Sequence, residues 1–243
     1  MATNMAPHNL TECCDAICAY IDNPEITVEE LMQFVKGPDF PTGGIIQGRQ
    51  GIKDAFETGR GRIVIRSKTE IEVSDSGRET IVVTEIPYMV NKREMIEKIA
   101  EMVESKKIEG IAYINDETTM KGVRIVIRLK KDANANVVLN TLFKYTPLQS
   151  SFSVNNVALV NGRPRTLNLK DLIKYFVKHR HEVILRRTKF DLDKAQKRAH
   201  ILEGLLKALD VIDEIIRIIR ASKSVEDAKT ELMSTFGFSE AQA

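Results

Sequence analysis

The sequence contains no tryptophan, few other aromatic residues and no long apolar run. Aromatic side chains make up 6% of the 243 residues, so stacking of bases on exposed rings is a poor candidate for a binding mode. An uninterrupted run of about 18 apolar residues, as a membrane-spanning helix requires, is missing. Residues 1–10 also lack a basic stretch followed by an apolar one, so the sequence predicts neither a membrane helix nor a secretory signal.

Cysteine is scarce and confined to one short segment. Cys13, Cys14 and Cys18 are an odd number of thiols placed close together, which makes a poor disulfide framework and is typical of a reducing cytosol. Cys14, Cys18 and the nearby His8 lack the second pair of ligands that a zinc site requires. We therefore expect small buried thiols, no metal site and a cytoplasmic location.

The net charge is close to zero, so it does not by itself indicate a partner. The chain has 36 basic and 34 acidic residues, which gives a formal net charge of +2. With 43% hydrophobic residues, the chain can bury the core of one large domain, or of one domain with an extension. The distribution of the charges along the chain is therefore more informative than their sum.

The first 61 residues combine short helices with turns. Residues 1–36 predict two short helices, the first capped by Asn9 or Thr11 and the second beginning at Thr27. Residues 37–61 are rich in glycine and proline, and they predict turns around one short strand and one short helix. The glycines of this stretch do not form a P-loop or a dinucleotide-binding motif, because no Gly-Lys-Ser/Thr follows and no long strand precedes them.

The central part of the sequence alternates between strand and helix patterns. Residues 62–86 predict a meander of three strands. From Thr80 onward the order is β-α-β-β-α-β, with the helices at residues 92–107 and 134–145. We therefore predict an α+β fold in which mixed or antiparallel sheets pack against helices.

A long helix follows the α+β part. Between Lys170 and Arg220 the sequence has no proline and a single glycine, Gly204. The apolar residues recur at steps of three and four, which is typical of a coiled-coil seam that needs a partner helix. Since only one short helix follows, at residues 225–233, the seam lacks a partner within the chain, and we interpret the sequence as a fragment of a longer protein.

These patterns predict four segments. They are an N-terminal helical segment (1–36), an α+β domain (37–168), a long coiled-coil helix (169–221) and a short C-terminal helix (222–243).

One basic cluster follows the glycine-rich stretch. In Thr58-Gly59-Arg60-Gly61-Arg62 the arginines alternate at strand spacing, so they emerge on one face. Gly59 and Gly61 would let the backbone approach a surface, and guanidinium groups suit a row of phosphates. The alternative is an exposed strand face that charge keeps solvated. The candidate DNA-binding residues are Arg60, Arg62, Arg66 and Lys68.

A second basic cluster lies in the long helix. The stretch from Lys178 to Arg198 contains eight Lys or Arg residues and three acidic ones. A solvated face of the coil is the favoured explanation, and nucleic-acid binding is the alternative. The four histidines have no recognisable serine or cysteine partner motif, so the residues predict no catalytic site.

Several strings of residues carry a resemblance to a known family. They are the segment 2–10 with its Pro-His-Asn, the Gly-Pro-Asp-Phe-Pro-Thr-Gly-Gly-Ile-Ile string at 37–46, Thr-Gly-Arg-Gly-Arg at 58–62, the segment 85–92, Asn-Leu-Lys-Asp at 168–171, and the segments 186–188 and 198–204. In this order they resemble the A subunits of bacterial type IIA DNA topoisomerases, the gyrase branch in particular. The resemblance covers essentially the whole chain.

The resemblance implies the mechanism of the parent enzyme. In that family a tyrosine on a winged-helix domain, next to an arginine, attacks a DNA phosphate and holds the cut end covalently. The B subunit holds Mg²⁺ and ATP, and a second duplex passes through the gap in an A2B2 complex. This chain would correspond to the tower domain, which contacts the backbone of double-stranded DNA in that family, and to the outgoing helix of the coiled coil, which joins two gates.

The sequence departs from the family at the catalytic position. Its five tyrosines do not stand in the expected Arg-Tyr setting, and the resemblance places the catalytic tyrosine and the base-wedging isoleucine upstream of Met1. We therefore expect no catalytic residue in the chain, no cofactor of its own and no DNA cleavage by the chain alone. Two alternatives remain open, a fragment of the topoisomerase IV homologue and a non-catalytic DNA-binding protein with a coiled-coil arm.

Overall fold

A computed structural model describes residues 3–74 and 77–243. The helices are α1 (Leu10–Asp22), α2 (Val28–Phe34), α3 (Gln50–Thr58), α4 (Lys92–Glu104), α5 (Ala135–Tyr145), α6 (Leu169–Asp210), α7 (Ile212–Ala221) and α8 (Val225–Phe236). The strands are β1 (Ile45–Gln47), β2 (Arg60–Arg66), β3 (Lys68–Val73), β4 (Glu79–Glu85), β5 (Ile111–Asp116), β6 (Ile125–Leu129), β7 (Gln149–Asn155), β8 (Val157–Val160) and β9 (Arg163–Thr166). The predicted α+β class is confirmed.

The chain forms two compact units, Met1–Val177 and Lys178–Ala243. In the first unit, the Asn9 side chain caps α1 by accepting hydrogen bonds from the N–H groups of Thr11 and Glu12. Thr27 and Glu30 form a capping box at the start of α2. Each cap satisfies backbone N–H groups that have no partner within the helix, and so fixes where the helix begins.

The thiols of α1 are not buried as the sequence predicted. Cys14 and Cys18 are exposed and Cys13 is partly buried, and all three are free thiols. Ala16 is the fully buried residue of this helix. Cys14 and Cys18 therefore lie on the part of the helix surface that the core does not cover.

The three-stranded sheet of the first unit has the order β1-β2-β7 and is antiparallel. The predicted meander over residues 62–86 is wrong, because β2 pairs with β1 and β7 and not with β3. Ile63 and Ile65 of β2 and Phe152 of β7 point into a core that also holds Leu31 and Ile173. The helices α1, α2 and α3 and the first turns of α6 cover this inner face.

A four-stranded antiparallel sheet has the order β3-β4-β6-β5. Its inner face packs on α4 and α5 through a second core that includes Ile81, Ile99, Ile127 and Leu142. The order β-α-β-β-α-β is observed from β4 onward, but its last strand, β7, pairs with β2 in the other sheet. The predicted β-α-β-β-α-β segment is therefore divided between two sheets. A β8-β9 hairpin follows β7.

The long helix ends earlier than the sequence predicts. The predicted coiled-coil helix covers residues 169–221, whereas α6 ends at Asp210, and Val211 leaves the helical conformation at φ −127° and ψ 28°. A new helix, α7, begins at Ile212 with Asp213 and Glu214 in its first turn, where carboxylates are stabilised by the helix dipole. The helix α7 packs on α8, a tertiary contact that the helical pattern of the sequence does not reveal.

The second unit folds its C-terminal residues back onto α6. Gln242 donates a hydrogen bond from Nε2 to the His200 carbonyl oxygen at 2.6 Å. A β-carbon at Gly204 would lie 2.7 Å from the Gln242 side chain, so glycine is the residue that leaves room for this contact. Leu232 and Phe238 are buried in the same unit.

None of the helices within residues 3–74 and 77–243 combines the length and the apolar character that crossing a bilayer requires.

Candidate nucleic-acid interface

The strand β2 separates apolar from basic side chains. Ile63 and Ile65 are 2% and 1% exposed and face the core, whereas Arg60 and Arg62 are exposed. Because alternate residues of a strand point to opposite faces, Arg66 also belongs to the outer face. The structure therefore brings these three arginines together on one face.

The two glycines beside these arginines serve contacts inside the chain. A β-carbon at Gly61 would lie 2.3 Å from the Gly51 carbonyl oxygen and 2.8 Å from Ala55, so Gly61 allows α3 to pack closely on β2. A β-carbon at Gly59 would lie 2.5 Å from the Leu167 carbonyl oxygen. The expectation that these glycines let the backbone approach an external surface is therefore wrong.

Serine hydroxyls from β7 lie beside the arginines. Ser153 is directly opposite Arg62 and Ser151 is opposite Val64, and residues directly opposite each other share a face of the sheet. Both serines are exposed, while the intervening Phe152 is buried. We call the surface formed by Arg60, Arg62, Ser151 and Ser153 the arginine–serine face.

Sequence analysis missed the two serines. The alternation of polar and apolar residues in Gln-Ser-Ser-Phe-Ser-Val-Asn indicated that the serines share one face of β7. That this face adjoins the arginines could not be predicted, because the pairing of β7 with β2 joins segments that are distant in the chain. On the other side of β2, Gln47 of β1 is opposite Val64. The surface thus spans three strands.

No acidic residue occurs in these three strands. Their sequences are Ile-Ile-Gln, Arg-Gly-Arg-Ile-Val-Ile-Arg and Gln-Ser-Ser-Phe-Ser-Val-Asn. The four-stranded sheet differs, because β3, β4 and β5 carry Glu70, Glu72, Glu79, Glu85 and Asp116. Within the described ranges, the side chains of Arg60 and Arg62 have neither an ion pair nor a hydrogen bond. Their guanidinium groups are free to meet an external anion.

Arg66 is engaged within the chain. Its Nε donates to Gln149 Oε1 at 2.5 Å, and its guanidinium carbon lies 4.9 Å from the centroid of the Phe143 ring. Phe143 packs on the core beneath the four-stranded sheet. Arg66 therefore links the three-stranded sheet to α5 as well as facing outward.

Lys68 lies apart from the arginine–serine face. It belongs to β3 in the four-stranded sheet, and its Nζ is 3.4 Å from Glu85 Oε1. Glu85 also accepts a hydrogen bond from the Gly44 N–H at 2.6 Å, and this bond is the main cause that lowers the pKa of the Glu85 carboxyl. The carboxylate that neutralises Lys68 is thus held in its charged form.

Two further exposed arginines belong to the β8-β9 hairpin. Arg163 and Arg165 of β9 share one face of this hairpin, opposite Val160 and Ala158. The base of the hairpin adjoins the start of β2, since the Asn156 N–H donates to the Gly59 carbonyl oxygen at 2.8 Å. Sequence analysis did not select this pair.

The basic stretch of α6 belongs to the second unit. All eight of its Lys and Arg residues, from Lys178 to Arg198, are exposed. Lys197 forms an ion pair with Asp193 at 2.7 Å. The other seven have no ion pair in the described part of the chain.

The chain matches one protein family over its whole length. A family model for the A subunits of DNA gyrase and topoisomerase IV matches residues 1–243. A protein from Clostridium acetobutylicum that is named as the A subunit of DNA gyrase is 56% identical over 243 residues, which are 100% of this chain and 29% of that protein. Proteins of the same name from Streptococcus pneumoniae and Ureaplasma parvum are 54% and 55% identical, over 100% of this chain and 30% and 29% of their own lengths. The chain therefore spans about 29% of the length of the curated relatives it matches.

Proposed function

The chain belongs to the family of DNA gyrase and topoisomerase IV A subunits, and we propose that it forms part of the polypeptide that breaks and rejoins DNA in an ATP-dependent type IIA topoisomerase. Its own task in this proposal is to bind the backbone of double-stranded DNA through the arginine–serine face. The reported relatives are all named as components of DNA gyrase, which favours the gyrase branch over topoisomerase IV and over an unrelated non-catalytic DNA-binding protein.

One observation carries this proposal: Arg60 and Arg62 are exposed cations without a counter-charge in the described ranges, on three strands that contain no acidic residue. Arginine matches the geometry of phosphate oxygens, and serine hydroxyls are common donors to them. Contacts of this kind position a duplex without selecting its sequence. Such a surface suits an enzyme that acts at many sites on DNA.

Arg66 and Lys68 take lesser parts in the proposed interface. Arg66 already stacks on Phe143 and bonds to Gln149, and Lys68 is paired with Glu85. A phosphate would have to compete with these partners. Arg163 and Arg165 are exposed on the hairpin whose base adjoins the start of β2, and they are further candidates for the interface.

The cofactors and protein partners are assigned by the family. We assign Mg²⁺ and ATP to the B subunit, with a second copy of the A polypeptide completing an A2B2 complex in the cytoplasm. Within the described ranges no three His, Cys, Asp or Glu side chains are grouped so that they could hold a metal ion.

Binding of a duplex across a salt series tests the proposal. We expect the affinity of the chain for a fluorescently labelled duplex to fall linearly with salt on logarithmic axes, because cations on the protein release counterions from DNA. Each lost phosphate contact makes the slope of log affinity against log salt less steep by about 0.9 for B-form DNA. Arg60→Ala/Arg62→Ala should therefore bind more weakly, with a slope smaller by roughly 2.

A charge-matched variant controls for net charge. Arg93 and Lys98 are on α4, under the other sheet, and pair with Glu97 and Glu101. Arg93→Ala/Lys98→Ala removes the same two charges and should leave the slope close to that of the wild type. Equal slopes for all three proteins would show that β2 is only a solvated face.

A further inference from the structure

Two free thiols lie side by side on the outer face of α1. Cys14 and Cys18 are both exposed, and they are four residues apart in a helix that runs from Leu10 to Asp22. Side chains with this spacing lie one above the other on the same face of a helix. The core-facing side of the helix is marked by Ala16, which is fully buried. The two thiols therefore form an open pair at the surface.

The spacing of this pair suits a metal ion bound between two sulfur atoms. The Cβ atoms of residues one turn apart in a helix are about 5–6 Å from each other. With metal–sulfur bonds of about 2.3 Å, as in zinc thiolates, a linear sulfur–metal–sulfur unit spans roughly 4.6 Å. Rotation of the two side chains toward each other bridges this small difference, and the helix backbone need not move.

The number of available ligands decides which ion fits. A structural zinc ion takes four ligands, whereas in the described part of the chain no third His, Cys, Asp or Glu side chain joins this pair to form a metal-binding group. Thiolates are soft ligands and select soft ions such as Cu(I). Because Cu(I) has a closed d shell and is stable with two thiolates in a linear arrangement, it matches both the type and the number of the ligands.

Cys13 is a poor third ligand. It is partly buried, and as the neighbour of Cys14 it points about 100° away around the helix. Burial raises the pKa of the Cys13 thiol, which opposes the deprotonation that binding to a metal requires. Cys13 therefore serves as an internal control for the exposed pair.

We propose that Cys14 and Cys18 bind one Cu(I) ion as a linear bis-thiolate. Each thiol releases its proton to water, and each sulfur forms one bond to the metal. Copper stays in the +1 state throughout, so the step needs neither an oxidant nor a reductant. The proposal is independent of DNA binding.

An anaerobic titration of the full chain with the Cu(I) complex of ferrozine tests this assignment, because the coloured complex fades as the protein withdraws copper. We expect one ion to be bound per chain. Cys14→Ser and Cys18→Ser should each weaken binding by about a hundredfold, since the second of two linked ligands binds at a high effective concentration. Cys13→Ser should bind as the wild type does. Equal binding by all four proteins, or no withdrawal of copper by the wild type, would overturn the proposal.

A variant with displaced thiols tests the spacing. Leu10 is exposed on the same face of α1, so Leu10→Cys/Cys14→Ser keeps two exposed thiols but separates them by two helical turns, about 12 Å. This variant should bind Cu(I) as weakly as Cys14→Ser, and the circular dichroism of each variant should match that of the wild type. If it binds as tightly as the wild type, the number of thiols and not their spacing governs binding, and the inference is wrong.

Discussion

Single side chains decide which cations of the three-stranded sheet remain available. Arg62 is opposite Ser153, a residue without charge, so its guanidinium has no competing partner there. Arg66 is opposite Gln149 and bonds to it. The shared face of the arginines could be predicted from their spacing, whereas their availability could not, because Gln149 lies 83 positions from Arg66.

In the proposed interface, Ser153 would offer a contact that adds affinity without adding charge. Replacing Ser153 by Ala should weaken duplex binding by roughly fivefold, the effect of about 1 kcal/mol for one hydrogen bond. Because no charge is lost, the salt slope should stay as in the wild type, whereas Arg62→Ala should lower it by about 0.9. Ser105→Ala, at the end of α4, is the matched control. Unchanged affinity in Ser153→Ala would remove this serine from the interface.

Glu85 should make stability depend on pH in the acid range. The Gly44 N–H and, to a lesser degree, Lys68 lower the pKa of its carboxyl below the ordinary value of 4.5. A carboxyl with a lowered pKa stabilises the fold above its unfolded pKa, and that stabilisation is lost as the pH falls from about 4.5 through the folded value. Glu85→Gln should therefore lose less stability than the wild type as the pH falls through this range.

Urea unfolding at several pH values measures this difference. Glu70→Gln is a suitable control, since Glu70 is an exposed carboxyl on the neighbouring strand β3 with no backbone N–H donor in the described ranges. Parallel pH profiles for the wild type and Glu85→Gln would contradict the role given to the Gly44 hydrogen bond.

At the scale of the elements, the sequence predicted most helices and strands but not their pairing. The caps at Asn9 and Thr27 mark where α1 and α2 begin, because such signals are local. The pairing of β2 with β7 joins segments that are far apart in the chain. The alternation of polar and apolar residues along β2 is the same whether β2 pairs with β3 or with β7. A single meander was therefore predicted for residues that the structure divides between two sheets.

Gly204 illustrates a tertiary requirement inside a helix. Glycine is about 1 kcal/mol less favourable than alanine in a helix interior, so helical propensity alone favours Gly204→Ala. The added β-carbon would meet Gln242 at 2.7 Å, and we expect it to displace the C-terminal residues from α6. Amide exchange of residues 239–243 should become faster in Gly204→Ala while the helix content does not fall.

A variant at an exposed position of the same helix provides the comparison. Ser239 and Gln242 both contact His200, one turn before Gly204. Lys197→Ala changes an exposed residue of α6 and should leave the exchange of residues 239–243 as it is. Unchanged exchange in Gly204→Ala would mean that the C-terminal residues adapt without moving.

For the whole molecule, the tyrosines determine what the chain can do by itself. Tyr88 packs between Phe40 and Phe152, and Arg128 lies over the ring of Tyr113, 5.0 Å from its centroid. Contact with the ring face orients the guanidinium for cation–π stacking and not for activating the hydroxyl. We therefore propose that neither Tyr88 nor Tyr113 acts as a nucleophile.

The chain alone should neither relax nor cleave supercoiled DNA. Incubation with plasmid, Mg²⁺ and ATP, followed by gel electrophoresis after protease treatment, should show only the starting topoisomers. The complete gyrase of one of the named relatives serves as the positive control. Linear or nicked DNA that depends on the chain would contradict the absence of a catalytic residue.

The most direct test of the central claim is to see which surface of the chain touches DNA. A photoactivatable group can be attached to a single cysteine after Cys13, Cys14 and Cys18 are changed to serine. Val64→Cys reports on the arginine–serine face without removing an arginine, because Val64 is opposite Ser151. Ala100→Cys on α4 and Leu185→Cys in the basic stretch of α6 are the comparison positions.

We expect irradiation with a labelled duplex to give a strong crosslink from position 64 and none above background from position 100. This result is expected because phosphates should lie along β2, beside Arg60 and Arg62. A crosslink from position 185 with none from position 64 would contradict it and assign DNA binding to the basic helix instead.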